Sequence, residues 1–533
     1  MPRVSVIIPT YNRREYVQKA IDSVLCQIVK RLFLLLTLIL TYIVQLCLPL
    51  PLNAQPVKFE GTLWSSPEIV STLPHNSSDP AIVADQTGMV HLFWSQVVDV
   101  PDEDQKGNTI AYSRWDGVAW SDSIDILVSP DGGAIWQPVA AVDATGVLHV
   151  IWASQYGTLY YSQAHISAAR SARGWLSPIE LAVGMPTLAL PAALGVDSHG
   201  IVHVIYTSRE NTREVMHLAS LDGGLTWAWD QETSVSAQAL FPPVEGSLVS
   251  GGTALTIDEA DGLHVGWSMF NEDGFGVAIF YTQSHNGGLE WNEPFIVAEK
   301  GPDDYEADWL NIATVGRDTI MLVWTGIGRP PGRSYRYSLD GGQTWTPPTH
   351  FMEGLVGETE SPRMVVDTLG TVHLLTPARR DTGERTSGTR YLTWRDEEWS
   401  QPYLIPGPAG KVTRYGGLRH TTTIRLGYEI FDAWYDEGLG EIWVVRGLVD
   451  APEIVPRPFY EHNIASPEEQ DEPAMTLPQA SPTMMPYNQH LDRSPSPTSN
   501  ANAAVRVVIL GIAPAFLVAF WVVYVYVHRR RLV

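Results

Sequence analysis

One pattern recurs along this chain at nearly even spacing, and it limits the fold more than any other feature. An apolar strand, a turn and a second apolar strand appear as "AIVADQTGMVHLFW" from Ala81, "AAVDATGVLHVIW" from Ala140 and "ALGVDSHGIVHVIY" from Ala193. Further copies are "ALTIDEADGLHVGW" from Ala254, "IATVGRDTIMLVW" from Ile312 and "MVVDTLGTVHLL" from Met364, and a degraded seventh, "TTIRLGYEIFDAW", begins at Thr422. Within each copy apolar and polar positions alternate with period 2, as a strand with two unlike faces requires. A histidine recurs at one place in the second strand: His91, His149, His203, His264 and His373, with Met321 filling the missing position. One histidine per repeat is spread around the molecule, whereas a metal needs its ligands gathered, so these are expected to be packing residues and no metal site is predicted.

A third strand follows each pair, as in "NTIAYSRW", "GTLYYSQA", "REVMHLAS", "AIFYTQS" and "SYRYS", and then a turn ending in Trp leads to an outer strand. The unit is therefore four strands over about 57 residues, longer than the WD40 or kelch period. The composition agrees: 19 Trp and 21 Tyr suit pleated surfaces, while 44 Gly and 38 Pro supply turns. The seventh unit ends near "EIWVVRGLVDAP" without an outer strand, and "FEGTLWSSPEIVST", Phe59 to Thr72, reads as an outer strand without a unit. Joining them closes a ring with no free edge. The expectation is an all-β fold, a β-propeller of seven four-stranded blades closed by the N-terminal strand. Six blades is the alternative, if the copy at Thr422 is not a full blade.

The Trp-ending turn has its own signature: "SLDGGLTW" at Ser220 to Trp227, "SLDGGQTW" at Ser338 to Trp345 and, more loosely, "SHNGGLEW" at Ser284 to Trp291. Ser and Asp side chains can bond the turn backbone, Gly accepts positive φ, and Trp buries a large area. Ser220, Asp222, Gly224, Trp227, Ser284, Trp291, Ser338, Asp340, Gly342 and Trp345 are thus expected to fasten the third strand to the fourth. This repeat resembles the Ser-x-Asp-x-Gly-x-x-Trp of the sialidase-like, Asp-box (BNR-repeat) β-propellers, over residues 57–456. The resemblance implies a glycan-directed protein, since the family holds sialidases, other glycosidases and non-catalytic binding propellers. Its sialidases use a Tyr nucleophile with a supporting Glu, an Asp acid/base and three arginines that clamp the substrate carboxylate. The family's Arg-Ile-Pro motif is absent here, and the first blade opens with "SSDPAIVAD".

In a propeller, the loops entering the innermost strands meet the loops between second and third strands at one end of the axis. Those loops carry Arg209, Arg329, Arg333, Arg363, Arg414 and Arg419, the candidate ligand-binding residues, beside Glu306 and the catalytic candidates Tyr415 and Glu360. Several arginines against an acidic background could bind a carboxylated glycan, or could be solvated loop charges paired with nearby acids. Binding of a glycan or another extracellular ligand is the first reading. An exo-sialidase-type hydrolase is the second, and a protein-interaction scaffold the third. No cofactor is expected.

The remainder concerns placement. Lys30 and Arg31 precede "LFLLLTLILTYIVQLCLPLPLNAQP", so residues 28–54 read as a signal peptide or N-terminal membrane segment. Val507 to Val527 is apolar throughout and is followed by His528, Arg529, Arg530 and Arg531. That predicts a transmembrane helix over 505–527 and a short basic cytoplasmic tail over 528–533, with the propeller outside the cell membrane. Residues 457–504 are rich in Pro, Ser and Thr and read as a disordered stalk. Residues 1–27 contain "VSVIIPTYNRREYVQKAIDSVLCQ", which resembles the opening strand and helix of family 2 glycosyltransferases; the rest of that fold does not follow, so this is read as an N-terminal remnant. Cys26 and Cys47 both precede the exported portion, leaving it no disulfide. A formal charge of −24 opposes nucleic acid as a partner. A monomeric propeller is expected.

Overall fold

The protein is described by a computed structural model covering residues 57–459, apart from 60–61, 73–76, 100–105, 185–191, 208–213, 228–232, 235–248, 272, 301–306, 327–331, 353, 358–361, 381–387, 406–419 and 437–438. The glycosyltransferase-like segment, the signal, the stalk beyond Phe459, the C-terminal apolar helix and its basic tail lie outside the described residues. Among the described residues no helix is long and apolar enough to cross a membrane. The chain divides into two units, Met1–Asn463 and Ile464–Val533, and everything below concerns the first.

The strands form seven antiparallel sheets. Blade 1 runs from its innermost strand outward as Ser77–Ala84, Val90–Asp99, Lys106–Trp115 and Ile124–Val128. Blades 2 to 5 repeat that order from innermost strands Ile135–Val142, Ala193–Val196, Val249–Ile257 and Asp308–Val315. Blade 6 is built on Arg363–Val366 and blade 7 on Thr421–Arg425. Each innermost strand packs against those of the two neighbouring blades, and the seventh packs against the first, so the ring is closed. Blade 7 takes its outer edge from the start of the chain: Leu63 and Trp64 pair with Leu448 and Gly447, and Glu68 and Ile69 with Val444 and Trp443. This is the seven-bladed closure that the missing and surplus outer strands predict.

The hydrophobic core is divided into seven clusters, each lying between adjacent blades. Strands whose two faces are both covered can be apolar on both, which is why second strands such as Val202–Thr207 and Leu263–Phe270 are buried at every position. Trp64 is fully buried against Tyr391 of blade 6, with ring centroids 4.9 Å apart, so the closing strand supplies core as well as hydrogen bonds.

The Trp-ending turns differ from expectation in one respect. The Ser220 hydroxyl accepts the Gly224 N–H at 2.8 Å and donates to Asp222, whose carboxylate accepts Thr226 N–H at 2.8 Å; Ser338, Asp340, Gly342 and Thr344 repeat this set. The tryptophan, however, reaches the preceding blade instead of its own outer strand. Trp227 meets Tyr161 edge-on at 5.0 Å, Trp291 meets His217 at 5.4 Å and Trp345 meets Tyr281 at 5.1 Å. The fastener therefore joins blades. Gly224 sits at φ +87, where a Cβ would lie 1.7 Å from the Tyr161 hydroxyl, so both backbone and space demand glycine there.

Beyond blade 7 the chain does not leave at once. Val449 and Ile454 donate to Tyr428 and Leu426, Thr368 of blade 6 donates to Pro452, and Arg457 donates to Gln86 of blade 1. Phe459 then covers Gly146 of blade 2. This strap crosses the end of the axis formed by the turns between first and second strands, and it carries the propeller-associated chain past residue 456.

Candidate functional site

The two ends of the axis are chemically unlike. At the turn end, the histidines expected to be packing residues are buried; His91, His264 and His373 are hydrogen-bonded at both ring nitrogens, and His149 and His203 at Nδ1. Asp85 Oδ2 lies 3.1 Å from His91 Nε2, and His91 Nδ1 lies 2.8 Å from the Tyr112 hydroxyl. The chains Asp258–His264–Tyr281 and Asp367–His373–Tyr391 repeat it closely. Asp143–His149–Tyr161 is looser on the aspartate side, at 3.6 Å. In blade 3 the tyrosine is replaced: Asp197 lies 3.5 Å from His203, which meets His217 at 3.0 Å.

The other oxygen of each aspartate holds its own turn, as Asp85 Oδ1 accepts from Thr87 and Met89 at 2.8 and 3.0 Å. Burial works against ionising Asp85, yet the bonds from His91 and Thr87 outweigh it and hold the carboxyl below its usual range. Burial pushes the Tyr112, Tyr161 and Tyr281 hydroxyls upward. The Asp85 carboxyl is thus held ionised and these tyrosines neutral. The sequence signal for the relay is an Asp six residues before each of these histidines.

Asp197, His199 and Asp261 also approach one another on this end, their ligand atoms all within 4.8 Å. Asp197 is already bonded by the His199 and Ile201 N–H groups and Asp261 by Ser198, so the cluster is accounted for by turn structure.

At the opposite end, a cavity of about 520 Å³ opens on the axis where the innermost strands begin. All seven blades contribute to its wall, among them Asp79 from blade 1, Gln137 from blade 2, Ala192 from blade 3, Gly252 and Thr253 from blade 4, Asp308 and Trp309 from blade 5, Arg363 from blade 6, and His420 and Thr421 from blade 7. Phe275, in the turn between the second and third strands of blade 4, completes it. The backbone here is unusual. In blades 1, 2, 4 and 5 the register with the second strand slips between Ser78 and Ala81, Trp136 and Val139, Gly251 and Ala254, and Asp308 and Asn311. Each bulge holds one residue at positive φ: Asp79 at +50°, Gln137 at +45°, Gly252 at +57° and Trp309 at +46°. Bulges re-aim side chains, and a bulky residue in the left-handed region costs energy that the surrounding sheet must overcome. All four line the cavity.

Of the sequence candidates among the described residues, Arg363 lines this cavity, where its Nε donates to the His420 carbonyl at 3.0 Å. Arg333 requires correction as a ligand-facing loop charge: its side chain is fully buried, with Nε donating to Thr376 Oγ1 at 2.8 Å and another guanidinium nitrogen donating to the Pro377 carbonyl at 3.0 Å. It ties blade 5 to blade 6. Tyr415, Glu360, Arg209, Arg329, Arg414 and Arg419 lie outside the described residues. Asp79, Gln137, Asp308, Trp309 and His420 were not foreseen, because a bulge at a strand start has no simple composition signal.

No protein-family model matches the chain, and no curated protein matches it. Among solved structures it is similar to BP39L lectin from Burkholderia pseudomallei, at 13% identity and a TM-score of 0.48, over 72% of this chain and 99% of that one. It is also similar to a protein of unknown function from Dyadobacter fermentans, at 11% identity and 0.45, over 73% and 100%. NanB sialidase from Streptococcus pneumoniae matches at 14% and 0.39, over 76% and 71%. What each of those proteins binds or cleaves is a property of that protein.

Proposed function

We propose that this chain is a sialidase-like, Asp-box propeller that binds glycan at the axial cavity, tethered to the cell membrane by its C-terminal apolar segment. The observation that carries the reading is the cavity itself: it stands at the end of the axis where the seven blades together supply carboxyl, amide, guanidinium, imidazole and aromatic groups, and its volume and mixed lining suit a small polar ligand. The Ser-Asp-Gly-Trp turns at Ser220 and Ser338 support the family reading.

The test is a glycan array probed with the full chain in detergent, run beside release of fluorophore from a sialoside. Specific retention without turnover is the expected result. Turnover would assign the hydrolase reading, with Tyr415 and Glu360 the first residues to change. Retention of no glycan would remove the proposal.

A further inference from the structure

The aromatic rings of the axial cavity lie on one side of it. Blades 3, 4 and 5 present Ala192, Ala193, Gly252, Phe275 and Trp309 beside the polar Thr253, Asp308 and Asn311. Blades 6, 7, 1 and 2 present no aromatic ring other than the His420 imidazole, and carry Arg363, Thr421, Asp79 and Gln137 among small apolar residues. Because the blades follow one another around the ring, these sets face each other across the axis. Phe275 is 43% exposed, and Trp309 is half-buried, its ring leaning on Gly252 and Phe270. A Cβ at residue 252 would come within 3.0 Å of that ring, so glycine there makes room for the tryptophan. Trp309 itself is held at φ +46, a conformation the sequence accepts at some cost to stability.

A ligand matching such a wall has one face of C–H groups and an edge of hydroxyls. Aromatic faces carry negative charge density and attract C–H groups, while carboxyl, amide and guanidinium groups satisfy hydroxyls. The described lining holds two carboxyl groups, Asp79 and Asp308, for one guanidinium, Arg363, so these residues offer an anionic ligand no excess of positive charge. Resting on the glycan reading above, we propose that the axial cavity takes a neutral pyranose, its C–H face on Trp309 and Phe275 and its hydroxyls toward Asp79, Gln137 and Arg363.

The experiment titrates the full chain in detergent with methyl glycosides of glucose, galactose, mannose, fucose and N-acetylglucosamine, and with sialyllactose and methyl glucuronide, reading binding by calorimetry. Wild type is compared with Trp309→Gly, Trp309→Phe and Arg363→Met, with a thermal melt of each. Glycine is at ease at positive φ, so Trp309→Gly separates ligand contact from backbone strain. The expected result is that one or more neutral glycosides bind at least tenfold more tightly than either acidic probe. Trp309→Gly should then weaken binding at least tenfold while the melt stays within a few degrees of wild type, and Trp309→Phe should retain part of the affinity. If Trp309→Gly melts early, Trp309→Phe and Arg363→Met, with their melts unchanged, carry the comparison. Preference for an acidic probe overturns the neutral-sugar proposal and leaves the glycan reading standing. Neutral binding untouched by all three variants overturns the placement alone. Binding of no probe, together with a blank array, overturns both.

Discussion

The turn end and the cavity end of the axis are made from the same strands, yet they use sequence in opposite ways. At the turn end, blades 1, 2, 3, 4 and 6 repeat one chemistry: an aspartate holding its own turn, a buried histidine and a hydroxyl or ring from the third strand. Blade 5 has Met321 in the histidine position, and there Tyr337 crosses to Glu397 of blade 6 at 2.6 Å. Blade 7 replaces the relay with Arg425, which bonds Glu429 and reaches the Gly88 carbonyl of blade 1, so the exception occurs at the closing junction. At the cavity end the bulge residues differ from blade to blade, Asp79, Gln137, Gly252 and Trp309, although small neighbours recur, Pro80 with Pro138 and Ala81 with Ala193 and Ala254. Repetition marks the framework most blades share, and variation marks what only the whole ring can build.

This contrast can be broken first at the blade fastener. Gly224→Val places a β-branched side chain at φ +87 against Tyr161, and should cost about 3 kcal/mol or more in urea unfolding. Gly200→Ala, also at positive φ but with nothing within 4 Å, should cost only about 1 kcal/mol. Equal losses would mean that backbone conformation, and not the contact between blades, sets the requirement.

Next is the relay. Asp367→Ala leaves the Leu369 and Thr371 amides and His373 Nε2 without their acceptor, and about 2–3 kcal/mol of stability should be lost. A loss under 0.5 kcal/mol would show that the relays are ornaments of packing.

Acid should single out blade 3. Burial and the neighbouring His203 push His217 down to about 3, whereas an unfolded histidine titrates near 6.5. Between those values the unfolded chain binds the proton and the folded chain does not, so stability is complete above pH 6.5 and falls as the pH drops toward 3. His217→Tyr gives blade 3 the residue its neighbours use. Relative to its own stability at pH 7, the variant should therefore lose about 2–3 kcal/mol less than wild type on acidification to pH 4. Parallel pH profiles would contradict the assignment.

The smallest effect belongs to the cavity end and has the opposite sign. Gln137→Gly removes left-handed strain at φ +45, and should raise stability by about 0.5–1 kcal/mol in a thermal or urea melt. Destabilisation of similar size would mean that the side chain supports the ring.

The same contrast explains how much the sequence disclosed. The ring was legible because period-2 alternation and a turn signature recur; even the borrowed outer strand around Trp64 could be found from a missing partner and a surplus one. The inward relays were half legible: the histidines stood out, but their role depends on Tyr112, Tyr281 and Tyr391, which sit on another strand and become partners only through register. The cavity was hardly legible. Its position follows from the fold, but Asp79, Gln137 and Trp309 reach it through bulges that break the alternation used to read the strands. Arg333 misled because a guanidinium near a strand end looks like a loop charge, while here sheet pairing with Thr325 and Phe351 draws it into the blade.

The central claim is that ligand is held where the blades differ and not where they repeat. Hydrogen–deuterium exchange of the full chain, with and without a saturating amount of the glycoside that binds best, tests this directly. Protection should be confined to the starts of the innermost strands, around Asp79–Ile82, Gln137–Ala140 and Asp308–Asn311, with none in the turns at Asp85, Asp143 or Asp367. Protection centred on those turns or on the strap would contradict it.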